Sequence, residues 1–125
     1  MTIVLTPTES EEYFFNSLCN SLGQMGGYGL ELTYNEGEYQ ESRKKLKSPS
    51  YEDVLLQMLK DGYSLTMTDI EGEGEYTKTI TINDVHEKVM KTPLHHLNNM
   101  IEENDDCDTG DVILQTVFFD DIVFG

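Results

Sequence analysis

The stretch that decides the fold is Asp108-Thr109-Gly110-Asp111-Val112-Ile113-Leu114-Gln115-Thr116-Val117-Phe118-Phe119. From Val112 onward it must be buried, because contiguous hydrocarbon of this extent is driven out of water. Two readings compete for it. The β-branched residues from Val112 to Val117 favour a buried strand. Asp108, with Asp111 three positions on, offers the cap of a helix from about Gly110 to Phe119. Periodicity does not separate a short buried strand from a buried helix. The helix is the expectation here, with Ile122 to Phe124 returning as a short strand.

Upstream lies the most acidic run of the chain, Glu102-Glu103-Asn104-Asp105-Asp106-Cys107-Asp108-Thr109-Gly110-Asp111. The C-terminal third thus ties the core to a strongly negative surface. Charge is the outlying property of the whole molecule: 24 acidic against 8 basic residues leave a formal net charge of -16. Residues 1–42 hold no Lys or Arg, while Arg43, Lys44, Lys45 and Lys47 supply half the positive charge within five positions. Such a chain is repelled by nucleic acid and by anionic membranes and drawn to basic partners, with a pull that salt weakens. The basic cluster itself reads as a loop that finds local carboxylates.

The clearest local structure is a β-hairpin. Tyr63-Ser64-Leu65-Thr66-Met67-Thr68 alternates with period two, as does Tyr76-Thr77-Lys78-Thr79-Ile80-Thr81-Ile82. Threonines line one face and apolar residues the other. The tip between them carries Glu71, Glu73 and Glu75. A third strand is expected at Leu30-Glu31-Leu32-Thr33-Tyr34, and a short one at Met1–Leu5.

Helix signals surround these strands. Thr6-Pro7-Thr8-Glu9 is a capping box with Pro at the first helical position, and Glu9, Glu11 and Glu12 suit the helix dipole. Phe14, Phe15, Leu18, Cys19 and Leu22 form one apolar face, and Gly23 is read as the stop. Asn35-Glu36-Gly37-Glu38 reads as a turn, followed by a polar loop to Pro49. Ser50 with Asp53 starts a second helix that Gly62 ends. Asn83 is the expected cap of a third, and Thr92-Pro93 of a fourth with the stripe Leu94, Leu97, Met100 and Ile101. The 125 residues are one domain's worth, with 38% hydrophobic residues to build a core. The expectation is a single α+β domain over residues 1–125: three or four antiparallel strands with helices on one face.

Motifs for chemistry are absent or malformed. Gly23-Gln24-Met25-Gly26-Gly27-Tyr28-Gly29 has helix before and strand after, the reverse of a phosphate loop. A calcium loop begun at Asp106 would place Gly110 at position five, Asp111 at the invariant glycine and Val117 at the bidentate Glu. His86, His95 and His96 are the only histidines. Adjacent His95 and His96 point about 100° apart on a helix, poor geometry for one metal. No GxSxG elbow is present. These readings point away from an enzyme, a cofactor or a resident metal. Cys19 and Cys107 are too few for a disulfide scaffold and read as reduced thiols. The N-terminus lacks a signal-peptide pattern and no apolar run nears the about 20 residues of a membrane helix. A cytoplasmic protein is expected.

The segments Asp69-Ile70-Glu71-Gly72-Glu73-Gly74-Glu75-Tyr76-Thr77-Lys78, Asn83-Asp84-Val85-His86 and Asp111-Val112-Ile113-Leu114-Gln115 to Phe124-Gly125 resemble small acidic proteins of bacteriophages and mobile elements. The likeness covers about the second half of the chain and is one of texture. It implies an inhibitor of host defence, of the anti-CRISPR or anti-restriction kind, and carries over no functional residue. The charge reading agrees. A non-enzymatic, DNA- or RNA-mimicking inhibitor would hold a basic nucleic-acid-binding host protein, a nuclease or CRISPR effector, in the host cytoplasm. Its expected contacts are Glu71, Glu73, Glu75, Glu102, Glu103, Asp105, Asp106, Asp108 and Asp111. The alternative is an accessory or structural interaction protein, or an immunity-type protein against a basic toxin, whose charge serves solubility.

Overall fold

Thr6 and Glu9 open the first helix by exchanging hydrogen bonds. The Thr6 N–H donates to Glu9 Oε1 at 2.9 Å and the Glu9 N–H to Thr6 Oγ1 at 3.1 Å. In the computed structural model, which describes residues 4–70, 77–102 and 107–123, this helix, α1, spans Pro7–Gly27. It therefore overruns the expected stop at Gly23. Each glycine in a helix interior costs about 1 kcal/mol against Ala. The side chain of Met25, 2% exposed, holds the last turn on the core, and full burial of such a side chain offsets roughly 1.5–3 kcal/mol. Cys19, expected on the apolar face, is exposed. The face instead reads Ser10, Phe14, Ser17, Leu18, Ser21 and Met25.

The strand β1 (Leu30–Thr33) follows, then a helix where a turn and loop were expected: α2, Glu36–Arg43. Asn35 Oδ1 accepts the Glu38 N–H at 3.0 Å, Glu36 and Glu38 sit in the first turn, and Gln40 bonds to Glu36. These polar contacts carry the helix, so no apolar stripe announces it. Ser50 and Asp53 form the expected capping box for α3, Tyr51–Lys60. Gly62, at φ 91°, ends the reversal after it, a backbone angle that strains any side chain.

Asp61 binds this region together. Its carboxylate accepts Ser42 Oγ at 2.8 Å, Gln57 Nε2 at 2.8 Å and Lys45 Nζ at 3.0 Å. Burial alone would raise its pKa, but these donors outweigh burial and hold it below the ordinary aspartate value.

The hairpin is present as β2 (Leu65–Asp69) and β3 (Lys78–Ile80), and the sheet order is β1-β2-β3, antiparallel throughout. Leu30, Leu65, Met67 and Ile80 are buried on the face that α1 and the last helix cover. The other face is threonine: Thr66 and Thr79 hydroxyls lie 2.8 Å apart, Thr33 and Thr68 hydroxyls 3.2 Å apart. Val4 and Leu5 lie in no strand. The rest of the Met1–Leu5 expectation falls outside the described residues.

Thr81, two residues before the expected Asn83, caps α4 (Ile82–Lys88), its N–H donating to Asp84 Oδ2 at 2.8 Å. A 3-10 turn, Val89–Lys91, continues it. Thr92 does not act as Thr6 does. Pro93 occupies the cap position of α5 (Leu94–Ile101), and Thr92 Oγ1 is buried without a partner. Leu97 and Met100 are buried, whereas Leu94 and Ile101 are exposed.

The deciding stretch is a helix, α6, Cys107–Phe119, beginning three residues before the expected Gly110. Ile113, Leu114, Val117 and Phe118 fill the core, with the Phe118 ring 6.4 Å from that of Phe14. The pairing of α6 with α1 is the largest helix contact in the fold. It is also tight: a Cβ on Gly110 would lie 2.3 Å from Ser21 Oγ and 3.3 Å from Ser17 Cα. Serines on α1 and glycine on α6 let the two backbones approach. Of the strand expected from Ile122 to Phe124, Phe124 lies outside the described residues and Ile122 and Val123 belong to no strand; the Val123 N–H donates to Gln115 Oε1 at 2.7 Å, so its hydrogen bond goes to α6, not to the sheet.

Candidate functional site

The turn Tyr28-Gly29 joins α1 to β1 and anchors two other parts of the chain. Gly29 C=O accepts the Ile70 N–H at 2.9 Å, just past the end of β2. The Tyr28 hydroxyl donates to Asp111 Oδ2 in the first turns of α6. Ile70 is where the Glu71–Glu75 segment departs, and Asp108 follows the Glu103–Asp106 segment within α6. The roots of two of the three acidic stretches therefore meet at one end of the molecule. The third, Glu9, Glu11 and Glu12, lies toward the opposite end of α1, roughly 24–29 Å away at the helical rise per residue.

Of the expected contact residues, Glu71, Glu73, Glu75, Glu103, Asp105 and Asp106 lie outside the described residues. Glu102 ends α5 and is exposed; Asp108 is exposed in the first turn of α6, where the helix dipole favours its charge. Asp111 differs. It is 7% exposed, and its carboxylate already accepts Tyr28 Oη and, at 2.6 Å, Gln115 Nε2. Its work is inside the fold, pinning α1, α6 and, through Gln115, Val123. The hydrogen bond to Asp111, then burial and the carboxylates of Asp111 and Asp108, push the Tyr28 phenol up to about 12.

A cleft of about 360 Å³ opens beside this network, lined by Gln24, Tyr28, His96, Asp108, Gln115 and Ile122 among others. His96 Nδ1 lies 3.4 Å from Thr109 Oγ1, and the His95 and His96 ring centroids are 4.0 Å apart. His86 is elsewhere, its Nε2 2.7 Å from Glu11 Oε2. Among the described residues no group of three His, Cys, Asp or Glu is arranged to hold a metal ion. None of the described helices is long and apolar enough to cross a membrane.

Half of the eight basic side chains pair with the protein's own carboxylates. Lys44 pairs with Glu41, Lys45 with Asp61, Lys60 with Glu11, and Lys88 with both Asp84 and Asp120. Burial would lower the Lys88 ammonium, yet Asp120 and Asp84 outweigh it and raise its pKa. Exposed pairs of this kind add little stability. Each pair is locally neutral, so the net charge of -16 rests on the carboxylates outside such pairs.

Compared with protein families, with curated proteins and with solved structures, the chain matches none.

One cluster escaped the sequence reading. Tyr34 after β1, Tyr39 on α2 and Tyr51 at the start of α3 meet at the surface, with ring centroids 5.2–6.2 Å apart. Nothing in their sequence spacing connects them. The signal was only the excess of tyrosine beside strongly polar neighbours, in a chain with seven Tyr and no Trp.

Proposed function

We propose that this protein is a non-enzymatic acidic inhibitor that binds a basic nucleic-acid-binding protein of a host cell. In this reading its carboxylates occupy the groove that otherwise holds phosphates, as in DNA- or RNA-mimicking anti-CRISPR and anti-restriction proteins. The observation that carries the reading is the meeting of two acidic roots at Tyr28-Gly29, on a chain of net charge -16. Phosphate-binding grooves are lined by Lys and Arg, and a dense row of carboxylates on a rigid support competes for the same side chains. The buried Asp111 network supplies such a support, and Glu102 and Asp108 stand exposed near it in sequence. Four of the eight basic side chains, Lys44, Lys45, Lys60 and Lys88, are paired with the protein's own carboxylates, and the net charge stays at -16.

The test is affinity capture from a bacterial lysate at low salt, with identification of what salt then releases. A nuclease, CRISPR effector or other DNA-binding protein, released by salt and displaced by added DNA, is the expected result. Charge reversal of Glu71, Glu73 and Glu75, or of Glu102 and Asp108, to Lys should weaken that capture. Recovery of nothing, or of a partner indifferent to both salt and DNA, overturns the reading and leaves the charge as a solubility device.

A further inference from the structure

The triad Tyr34, Tyr39 and Tyr51 is not explained by the core. Tyr34 and Tyr39 are half-buried against it, but Tyr51, in the first turn of α3, is 40% exposed. The Tyr34 and Tyr39 rings stack at 5.2 Å and 18°, and the Tyr51 ring leans across both at 6.2 and 6.1 Å. Three phenyl faces at one surface point form a rigid π-rich platform, since each ring holds the other two. Two carboxylates stand in the helix turns that carry it, Glu36 in the first turn of α2 and Glu52 beside Tyr51 in the first turn of α3. Glu36 and Glu52 act on Tyr39, and Glu52 also acts on Tyr51. Burial, then the hydrogen bond to Tyr34, raises the Tyr51 phenol, and burial raises that of Tyr39, so both rings stay neutral at physiological pH. Arg43 acts on Tyr39 through its charge. Among the described residues no cation stacks on the triad.

We infer that the tyrosine triad is a docking platform for an arginine side chain presented by a basic protein partner. The guanidinium is planar and weakly hydrated; it stacks on tyrosine faces while its edge N–H groups bond carboxylates, a combination that the ammonium of lysine does not match. Neighbouring Glu36 and Glu52 complete that chemistry. Tyrosine and arginine are also the side chains that dominate interface hot spots. The inference takes the partner's basic character from the function proposed above, but places this contact away from the acidic end at Tyr28-Gly29.

Two probe peptides of equal length and charge separate the two ideas: one alternating Arg and Gly, the other Lys and Gly, each titrated calorimetrically into the full chain. The Arg peptide should bind about three- to fivefold more tightly, the order expected of an exposed cation–π contact. Tyr51→Ala should erase that ratio without changing Lys-peptide affinity, and Tyr51→Phe, which keeps the ring, should retain it. Tyrosine ring resonances give a readout that does not depend on the variant folding. Those of Tyr34, Tyr39 and Tyr51 should shift with the Arg peptide, while those of Tyr13, Tyr28 and Tyr63 stay in place. Equal affinities, a ratio that survives Tyr51→Ala, or shifts confined to other tyrosines each overturn the platform. None of these outcomes bears on the acidic end, which is judged by its salt- and DNA-sensitive capture. Failure of that capture would in turn leave the Arg-to-Lys ratio intact.

Discussion

Tyr28 and Asp111 are 83 positions apart, and their hydrogen bond joins the end of α1 to the start of α6. The Tyr28 phenol is held near 12 in the fold, against about 10 for an unfolded tyrosine. Because the folded state grips this proton more tightly, its stabilisation is fully present below pH about 10 and is lost as pH rises through about 12. Tyr28→Phe should therefore cost about 1.5–3 kcal/mol at pH 8, as loss of a hydrogen bond to a charged group does. That deficit should shrink at pH 11. Urea unfolding of both proteins at the two pH values measures it; a deficit independent of pH would show that packing, and not the phenol proton, links the residues. Neither residue announced this role. Asp111 reads in sequence as one more solvated carboxylate of an acidic run, and only its 7% exposure reveals otherwise. Local chemistry was legible where both partners lie within one turn: Thr6 with Glu9, and Ser50 with Asp53. Asp61 was not: Gln57 lies one turn before it, but Ser42 and Lys45 reach it from the end of α2.

Between elements, the contact of α1 with α6 sets the architecture. Ser17 and Ser21 face Gly110, and the space there is smaller than a methyl group. Helix propensity alone predicts that Gly110→Ala stabilises by about 1 kcal/mol. Overpacking a tight contact costs typically about 1–3 kcal/mol, and Ser17 Cα is backbone that does not swing aside. The clash wins, so the variant should lose about 1 kcal/mol; a rise in the denaturation midpoint would mean that α6 shifts freely. Apolar spacing does not register the serine stripe on α1: it puts Cys19 on the buried face and leaves out Ser10, Ser17 and Ser21. The same blindness hid α2, whose caps and i,i+4 pair are polar. The hairpin fared better. Period-two alternation carries its own face assignment, and the threonine and apolar faces stand as expected.

At the scale of the whole molecule, a net charge of -16 on 125 residues is self-repulsive. Salt screens that repulsion in the compact state more than in the expanded one. Raising sodium chloride from 10 to 300 mM should therefore stabilise the fold by about 1 kcal/mol, read as a higher melting temperature. A melting temperature that falls with salt would mean that ion pairs such as Lys45 with Asp61 outweigh the net field. Pattern and composition were enough for the α+β class, the hairpin and its two faces, the caps of α1 and α3, and the excess of negative charge. These follow from pattern and chemistry within a few residues, or from composition. That 107–119 is helix and not strand came from packing against α1, since a buried strand and a buried helix share the same hydrophobicity. The same packing turned Asp111 inward, tied Val123 to Gln115, gathered Tyr34 after β1 with Tyr39 of α2 and Tyr51 of α3, and brought two acidic roots to one turn. Each of those depends on packing between segments far apart in the chain, and no local pattern encodes which distant surface a residue will meet.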